Sequence, residues 1–439
     1  MHCTFLRILL LLLTIPGISH ATPPSNETAS QGSPASQELQ PATPALMVSD
    51  PSYTIDLITI GPGDHLFTRG GHAALLVTET QPDGTTENKV YNYGATDWNQ
   101  SMLPVKFLTG SLKFHLETTG DLLHLQATYG TLADRALYTQ RLHLSDKQAQ
   151  WVAAHLKESL SEEKRQYDYH HVEQICTTKI RDLLDDLLGG EIQKQLGEIP
   201  DTQTVRTYQN EAFEGHFWPS LGADLFFGRK HDQPISAYYA LFSPDRMREN
   251  LTRVQVPSTD NPETLVPLAG PVKVIRSRLR PGPITGKNEA GWRVFFFIAL
   301  IMAGATLFGI KRLRRKQRPD AYIVPLASMS AIVGCLLWLL LLGSTVPELR
   351  FNEWLLLFCP LDILIVWGCL YTRTGSQKML PKWVIYYSWV RFFVALITVV
   401  FRLSGTLIQE PVLLFWLAIW GICSSHLFLI FSGSSRTTS

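Results

Sequence analysis

The chain has 439 residues, of which 45% are hydrophobic and 18% charged, and its 39 basic and 38 acidic side chains nearly cancel to a formal charge of +1. This balance argues against a basic nucleic-acid-binding protein, and the sequence contains no glycine-rich nucleotide loop. The overall values average two different parts, because long apolar runs are concentrated after residue 290.

The first 50 residues predict export followed by a spacer. Residues 1–21 resemble a secretory signal peptide. A short start that contains the basic Arg7 precedes an apolar run too short to span a bilayer, and the segment ends at Ala21. An uncleaved membrane anchor is the alternative. Residues 22–50 are rich in Ser, Thr, Pro and Gln and have few large apolar side chains, which predicts a disordered linker.

Residues 51–256 are mixed in composition and long enough for one domain with its own core. Helical periodicity over 147–160 predicts a helix, and a second helix is expected to start at Cys176 and to end before Gly189. The prediction is an α+β domain, in which helices pack on an antiparallel sheet. Alternating apolar and polar residues predict its strands, at 53–60, 72–77, 89–94, 107–110 and 112–117.

The remaining chain predicts a tether and a membrane bundle. Residues 257–290 are Pro-rich and mostly polar apart from the strand-like residues 272–275, which is typical of a tether or a small stalk, and residues 433–439 form a short polar tail. Residues 291–432 predict an all-α transmembrane bundle of five helices. Each apolar segment is near the length of about 20 residues that crosses hydrocarbon; the segments are 292–310, 322–342, 354–370, 383–400 and 412–431.

Loop charges predict the orientation of this bundle. The strongly basic run 311–318 follows the first span, and Arg373 and Lys378 lie between the third and fourth. By the positive-inside rule these loops and the C-terminus are expected to be cytoplasmic, which puts the α+β domain outside the cytoplasm. Asp362 and Arg391 lie inside predicted spans, where a structural salt bridge is favoured over an ion path. The spans also lack the broken helices typical of transporters.

Cys176 is the one cysteine outside the apolar ends of the chain. At a helix start, the dipole and the unpaired amides lower the pKa of a thiol and provide an oxyanion site, which suits a nucleophile. His72, His170 and His171 are the candidate bases. The alternatives are a buried structural thiol and a strand histidine without a catalytic role. One cysteine with scattered histidines lacks the spacing of a zinc site, and no cofactor is expected.

The chain resembles the Lnb-type lipoprotein N-acyltransferases over about residues 55–251, and the bundle resembles that family as well. The similarity rests on short motifs that occur in the expected order: GHAAL at 71–75, YNYG at 91–94, KFLTG at 106–110, YDY at 167–169, CTTKIRD at 176–182 and GADLFFG at 222–228.

The resemblance implies acyl transfer on bacterial lipoproteins, by a periplasmic domain beside the bacterial inner membrane. An acyl chain would move from the diacylglyceryl group to the α-amine of the lipoprotein's N-terminal cysteine and leave a lyso-form product. The family's nucleophile falls on Cys176 and its base on His72. Strand pairing suggests Asn92 as the residue that orients the imidazole, with Asp97 and Tyr93 as rivals.

One position departs from the family, which usually carries Asn before the cysteine where this chain has Ile175. Gln174 or backbone amides would then have to stabilise the oxyanion. Two other functions stay open. A thiol hydrolase acting on lipid esters or peptidoglycan peptides would use the same dyad with water as acceptor, and a membrane sensor or scaffold would use neither residue chemically.

Overall fold

The computed structural model describes residues 50–65, 68–214, 216–280, 289–374 and 380–434. The expected signal peptide, nearly all of the expected linker and most of the expected tail lie outside these residues.

The N-terminal part is built on a seven-stranded antiparallel sheet, with the order β11-β5-β1-β2-β3-β4-β6. The predicted α+β class is therefore confirmed. Short strands β7, β8, β9 and β10 form two separate two-stranded ladders. The strands are β1 Ser52–Ile60, β2 His72–Thr80, β3 Thr86–Ala95, β4 Lys113–Thr118, β5 Leu137–Arg141, β6 Gln166–Asp168, β7 Pro200–Thr204, β8 Pro234–Ser236, β9 Gln255–Pro257, β10 Leu265–Pro267 and β11 Lys273–Arg276.

Helices cover both faces of this sheet because alternate strand residues are apolar on each side. Leu57 and Leu75 lie in the larger core under α3 and α4, whereas Ile58 and Leu76 pack on the opposite face against Leu125. The helices of this part are α1 Leu103–Thr109, α2 Leu122–Leu125 with a following π-helix Gln126–Leu132, α3 Asp146–Ser159, α4 Cys176–Leu187, α5 Glu191–Leu196, α6 Val205–Ala212, α7 Phe217–Phe226 and α8 Pro244–Asn250, with 3-10 turns at Arg229–Asp232 and Tyr239–Phe242.

Two local predictions are wrong. Residues 107–110 are not a strand but the end of α1, because Pro104 opens the helix and Gly110 closes it with a φ of 75°. The expected tether is also largely part of the domain. In it β10 pairs with β9, β11 forms the sheet edge beside β5, and Leu268 is fully buried. Residues 281–288 of that segment lie outside the described residues.

The C-terminal part is helical, and four helices among its described residues are long and apolar enough to cross a membrane. The third predicted span is instead a pair of segments, Pro347–Leu356 and Pro360–Thr372, bent by 42°. The expectation of unbroken spans is therefore wrong here, since Pro360 cannot continue a helix. The helices are α9 Glu289–Arg314, α10 Asp320–Gly343, α11 Pro347–Arg350, α12 Ile363–Thr374, α13 Lys382–Leu403 and α14 Val412–Ser434, with 3-10 turns at Glu353–Leu356 and Pro360–Asp362.

The bent pair still runs the length of the bundle. Arg318, in the basic loop before α10, donates from Nη1 to Thr372 Oγ1 at 2.6 Å, whereas Pro347 follows the far end of α10. Tyr322 near the basic end contacts Phe428 of α14 edge-on at 5.5 Å. The basic loop and the end of α14 thus lie together, opposite the α+β domain.

Asp362 and Arg391 pair across the break in the third span. Arg391 Nε lies 3.0 Å from Asp362 Oδ1, and Tyr387 donates its hydroxyl to the same oxygen at 2.7 Å. The Arg391 guanidinium also donates to the carbonyls of Leu356 and Leu357, which the broken helix leaves without helical partners. This bonding favours the structural role of the pair.

Candidate active site

Cys176 is the first residue of α4, preceded by Ile175 in an extended conformation with φ −130° and ψ 178°. Ile175 has no side-chain oxygen to cap the helix, so the first amides of α4 are not used by a cap. The Ile175 N–H donates to Thr178 Oγ1 at 2.9 Å, and Thr177 Oγ1 donates to the Phe242 carbonyl at 2.7 Å. These bonds hold the start of the helix in place, and they do not involve the backbone amides of its first turn.

His72 is the first residue of β2, and the register that pairs Leu75 with Tyr91 brings Asn92 of β3 beside it. In this register Asn92 lies across from Ala74, which is two residues from His72. Residues two apart in a strand share a face, so the side chains of His72 and Asn92 point to the same side of the sheet. His72 Nε2 lies 2.5 Å from Asn92 Oδ1, and Asn92 is buried. The Asn92 oxygen accepts the Nε2 proton, which leaves Nδ1 for Cys176.

The thiol of Cys176 completes this arrangement, because it lies beside His72 and interacts with the imidazole electrostatically. Both residues also border Gly94, which has a φ of 102° and no side chain. A Cβ at Gly94 would lie 3.6 Å from His72 Cε1 and 3.9 Å from Cys176 Cβ. The structure therefore brings together Cys176, His72 and Asn92.

The electrostatics of the pair favour a thiolate and an imidazolium. Burial by itself raises the pKa of the Cys176 thiol, but His72 and the backbone N–H groups of Ala73 and Thr177 outweigh it and lower that pKa. Burial also lowers the pKa of His72, but Cys176 and the hydrogen bond that His72 donates to Asn92 outweigh this and raise it. Both shifts favour transfer of the thiol proton to the imidazole.

Tyr129 forms one wall of the site, and sequence reasoning missed it. Its ring stacks on His72 with centroids 6.1 Å apart, and the Arg135 guanidinium carbon lies 5.3 Å from the centroid of the Tyr129 ring. Burial raises the pKa of Tyr129, so its hydroxyl stays neutral beside the dyad. Tyr129 belongs to the π-helix, and no spacing pattern in the sequence marks such a bulge.

The rival orienting residues do not reach the imidazole. The Asp97 carboxylate accepts the Asn99 amide at 2.9 Å in an exposed turn, and Tyr93 is buried in the core on the other face of the sheet. Gln174 forms an isolated bridge with His170 through the backbone.

Residues 49–211 match the family model of the Lnb N-terminal periplasmic domain. This part of the chain is an Lnb domain. The resemblance that the motifs predicted is thereby confirmed, and the match contains Cys176, His72 and Asn92. Searches of curated proteins and of solved structures found no match to the chain.

Together with the apolar helices, the Lnb domain makes this a membrane protein with a periplasmic N-terminal domain. The domain is fastened to the outer end of the bundle by buried hydrogen bonds. Asn352 donates to the carbonyls of Leu225 and Phe226 at 2.6 and 3.0 Å, and the Trp354 indole donates to the Asp224 carbonyl at 2.9 Å.

The two other candidate bases lie at this junction and not at the thiol. His170 Nε2 lies 2.9 Å from Glu348 Oε2 of α11, and Lys230 Nζ lies 2.6 Å from Glu348 Oε1. His171 Nε2 lies 2.9 Å from His231 Nε2. The sequence placed His170 and His171 near Cys176, but it held no signal for Glu348, which is contributed by the bundle.

His170, His171 and Glu348 are metal-ligand residue types whose ligand atoms lie within 4.8 Å of one another. The hydrogen bonding opposes a cation there. His170 Nδ1 accepts the Glu173 N–H at 3.0 Å, so its Nε2 carries the proton and donates to Glu348. The Lys230 ammonium on the same carboxylate adds a repelling charge. The cluster fits a hydrogen-bonded link between the Lnb domain and the bundle.

Proposed function

We propose that the protein is a membrane-bound lipoprotein N-acyltransferase that acts through a thioester on Cys176. It moves an acyl chain from the diacylglyceryl group of a bacterial lipoprotein to the α-amine of that lipoprotein's N-terminal cysteine. The contact among Cys176, His72 and Asn92 within an Lnb domain carries the proposal.

In the first half-reaction the Cys176 thiolate attacks the carbonyl carbon of a glyceryl ester. A carbon–sulfur bond forms, the carbon–oxygen bond to the glyceryl group breaks, and the His72 imidazolium protonates the departing oxygen. The amides at the start of α4 face the oxyanion of the tetrahedral intermediate. They replace the side-chain donor that the family's Asn would offer at the position of Ile175.

In the second half-reaction the α-amine attacks the thioester carbonyl. Neutral His72 takes the proton of the amine, the carbon–sulfur bond breaks, and Cys176 leaves as the thiolate. The products are an amide on the lipoprotein and a regenerated enzyme, so the two half-reactions together need no cofactor and consume no water. Asn92 holds the imidazole in one tautomer through both steps.

The membrane bundle supports this chemistry by proximity. It holds the Lnb domain next to lipid-anchored substrates, which raises their effective concentration at the thiol. We infer that the basic residues 311–318 face the cytoplasm of a bacterial inner membrane, with the C-terminus on the same side, because positively charged loops stay inside. This orientation agrees with a periplasmic Lnb domain at the opposite end of the bundle.

Mass spectrometry of a lipoprotein's N-terminal peptide tests the proposal in a host that lacks its own N-acylation. Transfer within one molecule leaves the mass unchanged, so the readout is fragmentation that locates an acyl group on the amine. We expect N-acyl peptides with the wild type and none with Cys176→Ala or His72→Ala. Cys335→Ala, which changes another free thiol in the bundle, is the matched control.

Two other outcomes would overturn the proposal. Peptides that have lost one acyl chain and keep a free amine would identify a hydrolase that uses the same dyad. N-acyl peptides that persist in Cys176→Ala would show that the thiol is only structural, as in a sensor or scaffold.

A further inference from the structure

Three apolar side chains are exposed on the Lnb domain beside the bundle. Trp98 is 43% exposed, Met102 64% and Val105 37%. Single exposed apolar residues are common on proteins. These three occur within eight residues of chain, in the turn before α1 and on its first turn.

This patch lies at the level where α10 ends. Ser344 and Thr345 directly follow α10, and they bond to the carbonyls of Leu108 and Thr109 at the end of α1 at 2.6 and 3.1 Å. Leu340 of α10 packs in the same cluster as Leu108. α1 therefore lies level with the end of a candidate membrane span, and Trp is enriched where such spans meet the headgroups.

The patch continues inward to the thiol through aromatic rings. Trp98 contacts Phe114 edge-on with centroids 5.9 Å apart, and Phe114 packs on Tyr169 at 4.4 Å. Phe114 Cδ2 also lies 3.8 Å from the point where a Cβ of Gly94 would be. Gly94 borders Cys176, so a row of apolar contacts, with Phe114 buried in its middle, leads from the exposed patch to the nucleophile.

We propose that this surface, formed by Trp98, Met102, Val105, Phe114 and the bare backbone of Gly94, is the path of one acyl chain. The occupant is a single long hydrocarbon chain of a membrane-resident ester, whose carbonyl reaches Cys176 while its tail stays at the lipid boundary. We call this surface the acyl path. It deepens the proposed function, because it rests on Cys176 as the acyl acceptor.

Chain-length selectivity of the full-length protein in lipid nanodiscs tests the acyl path. The substrates are p-nitrophenyl palmitate and p-nitrophenyl acetate, and the readout is the ratio of their rates of Cys176 acylation. We expect Trp98→Ser and Met102→Asp each to lower the palmitate-to-acetate ratio about tenfold. Trp151→Ser is the matched control, because Trp151 is 42% exposed on α3, and its ratio should equal that of the wild type. An unchanged ratio in both path variants would overturn the acyl path.

A second measurement separates this inference from the proposed function. Nanodiscs with brominated phospholipids quench tryptophans that contact lipid tails. The contribution of one tryptophan is the difference in fluorescence between the wild type and the variant that lacks it. We expect bromine to quench the contribution of Trp98, obtained with Trp98→Phe, and not that of Trp151, obtained with Trp151→Phe. If neither ester acylates Cys176, the proposed function fails, and the quenching result alone decides whether Trp98 lies at the lipid. A Trp98 component that bromine does not quench overturns the acyl path whatever the activity.

Discussion

Replacement of Asn92 by alanine tests how the imidazole is held. The side chain of Asn92 is buried, and its Oδ1 lies 2.5 Å from His72 Nε2. Removal leaves a buried N–H without its acceptor, which costs about 1–3 kcal/mol. If that cost falls on the transition state, at about 1.4 kcal/mol per factor of ten, acylation of Cys176 slows about 5- to 150-fold.

The pH dependence carries a second signature. The hydrogen bond to Asn92 contributes to the raised pKa of His72, so its loss lowers that pKa. The imidazolium that protonates the departing oxygen then disappears at lower pH, and the alkaline limb of the rate profile shifts to lower pH. Asn92→Asp retains an acceptor and adds a negative charge, so its alkaline limb shifts to higher pH.

The assay is single-turnover acylation of Cys176 by a glyceryl ester across pH, because its alkoxide leaving group needs a proton to depart, with thermal unfolding of each variant as the folding control. An Asn92→Ala protein that is folded and reacts within twofold of the wild-type rate would refute the orienting role. So would a slower rate with an unshifted alkaline limb, because the damage would then lie elsewhere.

Three further changes test the framework around the site. Glu348→Ala removes the acceptor of His170 and should lower the free energy of unfolding by about 1–3 kcal/mol, measured by thermal unfolding in nanodiscs; an unchanged midpoint would contradict the link to the bundle. Arg391→Leu leaves Asp362 as an unpaired buried charge and should cost about 3–5 kcal/mol, whereas the double variant with Asp362→Leu should lose less; an additive loss would argue against the pair. Gly94→Ala places a Cβ at a φ of 102° and should destabilise by about 1–2 kcal/mol, so an equally stable variant would show that the backbone relaxes there.

Several elements could be predicted because their signals are local. Ser145 accepts the Gln148 N–H and caps α3, as expected for a residue of its type before a helical pattern. Cys176 begins α4, which ends before Gly189 as predicted. Alternation over β2 and β3 predicted two neighbouring strands, and that pairing was enough to suggest Asn92 as the partner of His72.

The errors fell on segments whose structure depends on distant partners. Four residues at 107–110 are too few to show a helical or strand period of their own. In the structure they end α1, and Ser344 after α10 donates a hydrogen bond to the Leu108 carbonyl. Residues 272–275 are strand-like as predicted, but they were expected in a tether, whereas β11 joins the sheet because the edge of β5 offers unpaired hydrogen-bonding groups. The third span bends at Pro360, and the carbonyls freed by the break are bonded by Arg391, which comes from another helix.

The amino-acid sequence by itself determined the α+β domain, the apolar bundle and the residue types of the dyad, because strand alternation, helix caps and apolar length act between near neighbours in the chain. Only the tertiary structure decided which histidine meets Cys176. It placed His170 on Glu348 and His72 beside the thiol, since a hydrogen bond depends on distances of about 3 Å that residues far apart in sequence acquire only through packing.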